Sequence, residues 1–241
     1  MADCVVLGID DTDMPDTRGT GHLARLLAAA IDAAGLGATT GVTRHQLFQG
    51  PGVPMTSHNS AAAITVDRAD AEVLRAFALA FLLSEYIAGS DPGLAVVDGE
   101  VPPAALAFAR RAQQELVTID EAAAHGAASS ARLDALGTVG QGTIGALCAV
   151  VLRLDGNDGR FVGLPGIREL PVRVTVAEIL AGVPGVSVVD EESGAALDGA
   201  AIVDTGDWVR PRVVSGIPVV VARRSSDAGV WVNADQRLRK D

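Results

Sequence analysis

The chain is 241 residues long, 49% apolar and 20% charged, with a net charge of −11. A chain of that mass buries about 70% of the surface its unfolded form exposes, enough for a real core without staples. The apolar fraction excludes disorder, no run of about 18 apolar residues is present to span a bilayer, and an acidic body disfavours broad binding to a polyanion.

Met1-Ala-Asp-Cys4 leads straight into a strand-like run, with no basic segment and apolar stretch of a signal peptide. Cys4 and Cys148 both lie in apolar runs, as reduced core thiols of a cytoplasmic protein would. Two cysteines cannot build a four-cysteine zinc site. Charge is uneven: residues 208–241 carry +4 and the remainder −15. That basic end either solubilises the chain or touches phosphate. Lys240 is the only lysine, so a site needing one must use arginine instead.

In chain order, Cys4 to Ile9 is a continuous apolar run, which predicts a buried strand. From Thr20 to Ala34, Leu23, Leu26, Leu27, Ala30, Ile31 and Ala34 follow the spacing of an amphipathic helix, stopped by Gly35 and Gly37. Strands are expected over Gly41–Phe48 and Ala61–Val66, a helix over Ala69–Ile87 and a short strand over Leu94–Val97. Pro102 and Pro103 open a helix running to Val117, and Thr118 with Glu121 forms a capping box for the next. A glycine-rich turn, Gly137 to Gly145, leads into the apolar run Ala146–Leu154. The turn composition of Asp155–Gly159 marks a linker. Beyond it come a strand, a helix (Val174–Ala181) and strands over Val186–Val189 and Ala200–Val203. A hairpin about Gly216 and a strand over Gly229–Asn233 follow. Helices and strands alternate throughout, so the class is α/β or α+β.

Gly8-Ile-Asp-Asp-Thr-Asp13 is the sharpest feature. Three carboxylates within four residues, directly after a buried strand, repel one another unless a cation neutralises them. Mg²⁺ is such a cation, held by one or two carboxylates plus substrate phosphates. The other reading is a solvated acidic turn. Asp11-Thr-Asp13 also fits the Asp-x-Asp of a haloacid-dehalogenase-like phosphatase, although Pro15 departs from that pattern.

The same segment resembles the N-terminal signature of archaeal tRNA agmatidine synthetase, the ATP-dependent enzyme that joins agmatine to the wobble cytidine of an isoleucine tRNA. The resemblance continues in order through Thr20-Gly-His-Leu-Ala24, Thr43-Arg44 and Val53-Pro-Met-Thr-Ser-His-Asn59. It goes on through Asp91-Pro-Gly93, Ile119-Asp-Glu-Ala122 and Gly140-Gln-Gly-Thr-Ile-Gly-Ala-Leu147. It covers residues 4–150 well and the rest loosely, through Asp207-Trp208 and the Pro218 hairpin. The resemblance implies a kinase-like domain over 1–155 that binds ATP and Mg²⁺. A smaller ferredoxin-like domain over 156–241, with a basic C-terminal hairpin, is implied to follow. It also implies that Asp10, Asp11 and Asp13 organise the metal and phosphates, and that Thr20 is the residue phosphorylated. The lysine and arginine of the family's loop are Met55 and Ser57-His58 here, and the basic residue before its glycine loop is Val139. The family's RNA-binding barrel and zinc ribbon have no counterpart in these residues, so full-length tRNA is not the expected acceptor.

Other candidates each have a structural alternative. Gly140-Gln-Gly-Thr-Ile-Gly145 spells G-x-G-x-x-G too late in the chain for a dinucleotide fingerprint. Gly140, Gly142 and Gly145 either bring backbone N–H groups to phosphate or form a turn. His22 is a general base, a phosphate contact, or an exposed first-turn histidine. Arg44 can fork onto a phosphate, and His58 and Asn59 read a base or sugar or cap a turn. His125 is expected to be structural. Trp208 and Trp231 pack in the core or stack nucleobases. The expected activity is ATP- and Mg²⁺-dependent phosphoryl transfer, with a non-catalytic nucleotide sensor as the alternative.

Overall fold

A computed structural model describes residues 4–53, 58–85, 87–206, 208–227 and 229–235. Residues 54–57 of the loop motif (with Met55 and Ser57), Asp207 and Lys240 lie outside the described residues.

The first strand, β1 (Cys4–Asp10), alternates between two cores. Val5, Leu7 and Ile9 face α1 (Thr20–Ala33) and α2 (Ala71–Ser84), packing with Leu27, Ile31, Leu74 and Leu82. Val6 belongs to the opposite core with α3 (Pro103–Ala112), α4 (Ile119–Ala128) and α5 (Gly142–Asp155). The strands β2 (Ala38–Gln46), β3 (Ser60–Asp67) and β4 (Gly93–Val97) flank β1 in the order β4-β1-β3-β2, and β5 (Arg132–Ala135) closes the β4 edge. A half of three layers results, helices on both faces of a sheet. Every pairing in it is antiparallel. Parallel α/β sheets bind ligands at the carboxyl ends of their strands, and this antiparallel half does not fall under that rule.

Helix α5 is buried all round, with every residue from Gly142 to Arg153 buried, as an apolar helix inside a core must be. It comes close to the sheet because two strand residues lack side chains. A β-carbon on Gly8 would stand 2.0 Å from the Ala146 carbonyl oxygen, and one on Gly93 would stand 2.2 Å from the Gly142 carbonyl carbon.

Beyond Asp155 the sheet continues. Strand β6 (Arg160–Gly163) pairs with β2 on one side and, through Arg160, with β10 (Arg212–Val214) on the other. The remaining elements are β7 (Arg173–Thr175), α6 (Val176–Gly182), β8 (Ser187–Asp190), β9 (Ile202–Asp204), β11 (Ile217–Arg224) and β12 (Val230–Asn233). They enclose a third apolar cluster, with Val174, Ile179, Val203 and Val220 in it. Here β8 runs parallel to β11 and β9 parallel to β12. Hydrogen bonding thus crosses the Asp155–Gly159 turn while the apolar clusters stay separate.

The Thr118–Glu121 capping box forms with both of its hydrogen bonds. Helix α3 ends at Ala112 rather than Val117, because the Ala112 carbonyl accepts from the Phe48 N–H at 3.0 Å. Strand β5 is an addition to the expected elements. Among the described residues no helix is long and apolar enough to cross a membrane.

Candidate functional site

Asp10 ends β1, and the chain turns at Asp11 with φ +52°, a left-handed conformation that aspartate tolerates better than most residues. The turn sets Asp10, Asp11 and Asp13 into one pocket with Thr20, Asn59, Gln141 and Gly145. Leu47, Phe48, Leu116 and Ile144 form its apolar side. Burial raises the Asp10 carboxyl to about 7, and the neighbouring Asp11 and Asp13 add to the effect. Asp11 is also raised, first by burial and then by Asp91 and Asp13. The carboxylates are therefore mutually repelling, the condition a bound cation relieves.

Thr20 begins α1 and is buried. Its hydroxyl donates to Asp13 Oδ1 at 3.1 Å and accepts from the Thr12 hydroxyl at 3.1 Å. Threonine and carboxylate are thus joined by a direct hydrogen bond. A nucleophile held by a base has this arrangement.

Three glycines of the 137–145 loop each have their own reason. Gly140 adopts φ +90°. A β-carbon on Gly142 would stand 2.5 Å from the Asp91 carbonyl oxygen, and one on Gly145 would meet Asp10 Oδ2 at 1.9 Å. The loop does not present an open ring of donors. The Asp91 carboxylate accepts from the Val139 N–H at 2.9 Å and from the Gln141 N–H. At the start of α5, Gly142 N–H donates to the Asp91 carbonyl at 3.2 Å and Thr143 N–H to the Gly140 carbonyl at 3.1 Å. Burial alone would raise the Asp91 carboxyl; the N–H groups of Val139, Gln141, Gly140 and Thr138 bring it below its ordinary value. Of the glycine donors expected for phosphate, Gly140 N–H faces this internal carboxylate and Gly142 N–H is taken by the Asp91 carbonyl. Asp91 is the site residue that sequence reasoning quoted within a motif but gave no role.

The pocket opens past Asp13, Thr20, His58 and Ser60 into a cleft of about 1150 Å³ between the two halves of the molecule. Arg44 and His22 line this cleft and not the carboxylate pocket. Arg44 Nε donates to Ser60 Oγ at 2.7 Å. His22 sits between guanidiniums, at 3.1 Å from Arg18 and 3.3 Å from Arg25. Burial, then Arg18, Arg25 and Arg168, lowers its pKa. Asn59 donates to the Phe48 carbonyl at 2.8 Å and so shapes the loop beside the pocket. His125 stacks on Phe108 with centroids 4.8 Å apart, a packing role.

The donor set fits a hard divalent cation in part. Among the described residues no three His, Cys, Asp or Glu groups gather as a ready ligand set. Mg²⁺ taking most of its shell from phosphate and water needs only one or two carboxylates, and the repelling Asp10 and Asp11 supply them.

A second constellation is hidden. Asp158 Oδ1 meets His45 Nδ1 at 2.8 Å, and His45 Nε2 meets Thr43 Oγ1 at 2.9 Å. This has the order of an acid–base–nucleophile triad, yet Thr43 and His45 are both fully buried. No substrate reaches that hydroxyl. The set instead ties β2 to the turn before β6, with Arg110 donating to Asp158 Oδ2 at 3.0 Å.

Over 61% of the chain, the fold is similar to that of a synthetase that acts on tRNA. The chain is similar to a crystal structure of the isoleucine-tRNA agmatidine synthetase without ligand, with a TM-score of 0.54 and 27% identity. That match covers 61% of this chain and 35% of that one. It is equally similar to the complex of the synthetase with its isoleucine tRNA and ATP, with a TM-score of 0.55, 27% identity and 62% and 36% of the two chains covered. In sequence it is 32% identical over 151 residues to the isoleucine-tRNA 2-agmatinylcytidine synthetase of Pyrococcus horikoshii, over 60% of this chain and 34% of that protein. The chain spans about a third of the length of the relatives it matches. No protein-family model matches it. Over the shared part, this chain is similar in both sequence and fold to tRNA agmatidine synthetase.

Proposed function

We propose that the protein binds ATP with Mg²⁺ at the acidic turn and transfers a phosphoryl group through Thr20. The observation that carries this reading is the hydrogen bond from the Thr20 hydroxyl to Asp13, on the rim of the carboxylate pocket. The relative solved with ATP supports the choice of nucleotide. Asp10 and Asp11 would hold the metal, whose charge offsets that of the phosphates. Asp13 takes the hydroxyl proton as Thr20 Oγ1 attacks the γ-phosphorus; the bond to the β-phosphate oxygen breaks and ADP leaves with those electrons. Asn59 and the apolar wall of Phe48, Leu116 and Ile144 suit the base and ribose. Gly140, Gly142 and Gly145 act by shaping α5 against Asp10 and Asp91. His22 and Arg44 serve the cleft, where the acceptor enters. We take residues 1–155 as the ATP-binding unit and 156–241 as a smaller ferredoxin-like unit with its own apolar cluster.

One observation favours a second reading, a nucleotide sensor without turnover. The glycine-loop donors at Val139 and Gln141 are held by Asp91. Intact-mass measurement after incubation with ATP and Mg²⁺ separates the two. Phosphoryl transfer gives a gain of one phosphate that Thr20→Ala abolishes. ATP bound with no gain in mass leaves the sensor.

A further inference from the structure

Arg25 lines the cleft one turn along α1 from Thr20, and Arg18 and Arg168 join it around His22. Among the described residues no carboxylate lies within ion-pair distance of Arg18, Arg25 or Arg168. This is unusual in a chain of net charge −11, where carboxylates outnumber cations.

The histidine at the centre sharpens the point. Arg18 Nη1 faces His22 Nε2 at 3.1 Å and Arg25 Nη2 faces His22 Nδ1 at 3.3 Å. Guanidinium groups only donate, and a neutral imidazole accepts at one nitrogen and donates from the other. One of the two contacts therefore sets donor against donor. An acceptor brought between them would resolve that conflict.

Trp208 fixes the other side of the patch. Its ring lies 4.3 Å from the Arg168 guanidinium carbon and 4.2 Å from that of Arg210. The indole belongs in part to the apolar cluster under α1, so both guanidiniums rest on a platform tied to that helix.

We propose that this patch binds the phosphate of a small phosphomonoester that also carries a hydroxyl, the acceptor of the transfer proposed above, on which this assignment of its role rests. That hydroxyl oxygen bonds to the phosphorus as the bond to Thr20 Oγ1 breaks, Asp13 returns its proton to Oγ1, and the acceptor's proton passes to the freed carboxylate. Thr20, Gly21, His22 and Arg25 line the cleft in succession, so a ligand anchored at Arg25 lies along the same wall as Thr20. Guanidinium forks suit a phosphate dianion. A nucleic-acid backbone would need cations spread along a track. Across the cleft, Arg160 and Arg212 are instead both paired with Asp235.

The test uses the full chain carrying Trp231→Phe, so that Trp208 alone reports by fluorescence. Glycerol 3-phosphate should give a saturable change in emission, and glycerol none. Arg25→Gln combined with Arg168→Gln should weaken binding about tenfold or more, the scale of a lost charge-assisted contact. Arg18→Gln, at an exposed position, should weaken it several-fold and guards against misfolding of the pair. No saturable change, or binding indifferent to these arginines, overturns the proposal. So does a short single-stranded RNA that binds more tightly with the same arginine dependence. ATP producing the same change, lost with the same arginines, would assign the patch to the nucleotide's own phosphates and overturn the acceptor role. The intact-mass experiment uses ATP and no phosphomonoester, so failure of the transfer reading registers there and failure of the patch registers here.

Discussion

Gly145 leaves on the inner face of α5 the space that the Asp10 carboxylate fills; a β-carbon there would stand 1.9 Å from Asp10 Oδ2. Inside a helix, alanine ordinarily stabilises by about 1 kcal/mol relative to glycine. At this position the sign reverses. Gly145→Ala should destabilise the protein by about 1–3 kcal/mol, because a methyl group is forced against a buried carboxyl. Urea denaturation measures it, and a variant more stable than wild type would contradict the packing described.

Asp91 closes the glycine loop from a distant part of the chain. Asp91→Ala leaves the Val139 and Gln141 donors without their acceptor and should cost on the order of 1–3 kcal/mol. Asp91→Asn keeps one acceptor oxygen and should lose less. Equal melting temperatures for all three proteins would show that the loop stands without the carboxylate.

Asp11 bears on the metal. If Asp11 helps hold Mg²⁺, Asp11→Asn should weaken ATP binding in the presence of Mg²⁺ about tenfold, or 1.4 kcal/mol. Calorimetry with and without Mg²⁺ reads this directly. An affinity unchanged by the substitution would remove Asp11 from the metal site.

His45 predicts a dependence on pH. Burial lowers its pKa most, Asp158 opposes the shift, and Arg153 and Arg110 add to the lowering. The unfolded state therefore binds the proton more readily. Stability from this group is complete above the unfolded value of about 6.5 and declines as pH falls below it. Asp10, raised to about 7, works the other way: its penalty eases as pH falls from 7. Comparing wild type with His45→Gln between pH 8 and 5 isolates the histidine, since Asp10 is common to both. A wild type that loses no more stability than the variant would refute the assignment.

What the sequence made legible was local. The Thr118–Glu121 box, the start of α1 at Thr20 and the acidic turn after β1 all depend on neighbours within a few positions. What it hid was long-range. Asp91 reaches Val139 and Gln141, and Asp158 reaches His45, across stretches whose spacing carries no signal. Strand β5 was obscure because its polar residues turn outward to pair with another element, Asp134 with Arg75 and Arg132 with Glu72 of α2. Arg44 and the aspartates stand in one motif order, yet the fold puts Arg44 in the cleft and Asp10 and Asp11 in the pocket, with Asp13 on the rim between them. Sequence order says nothing about which wall a strand residue faces.

Strand β6 has one more consequence. It lies beyond Asp155 in the chain but against β2 in space. A chain cut at Asp155 would keep all of α5 and still leave β2 with a bare row of amides and carbonyls. Such a fragment is expected to be sticky, adding strands from its own copies along that rim. Cutting after Gly163 instead would carry the guard strand with it, and the solubility of the two fragments should differ accordingly.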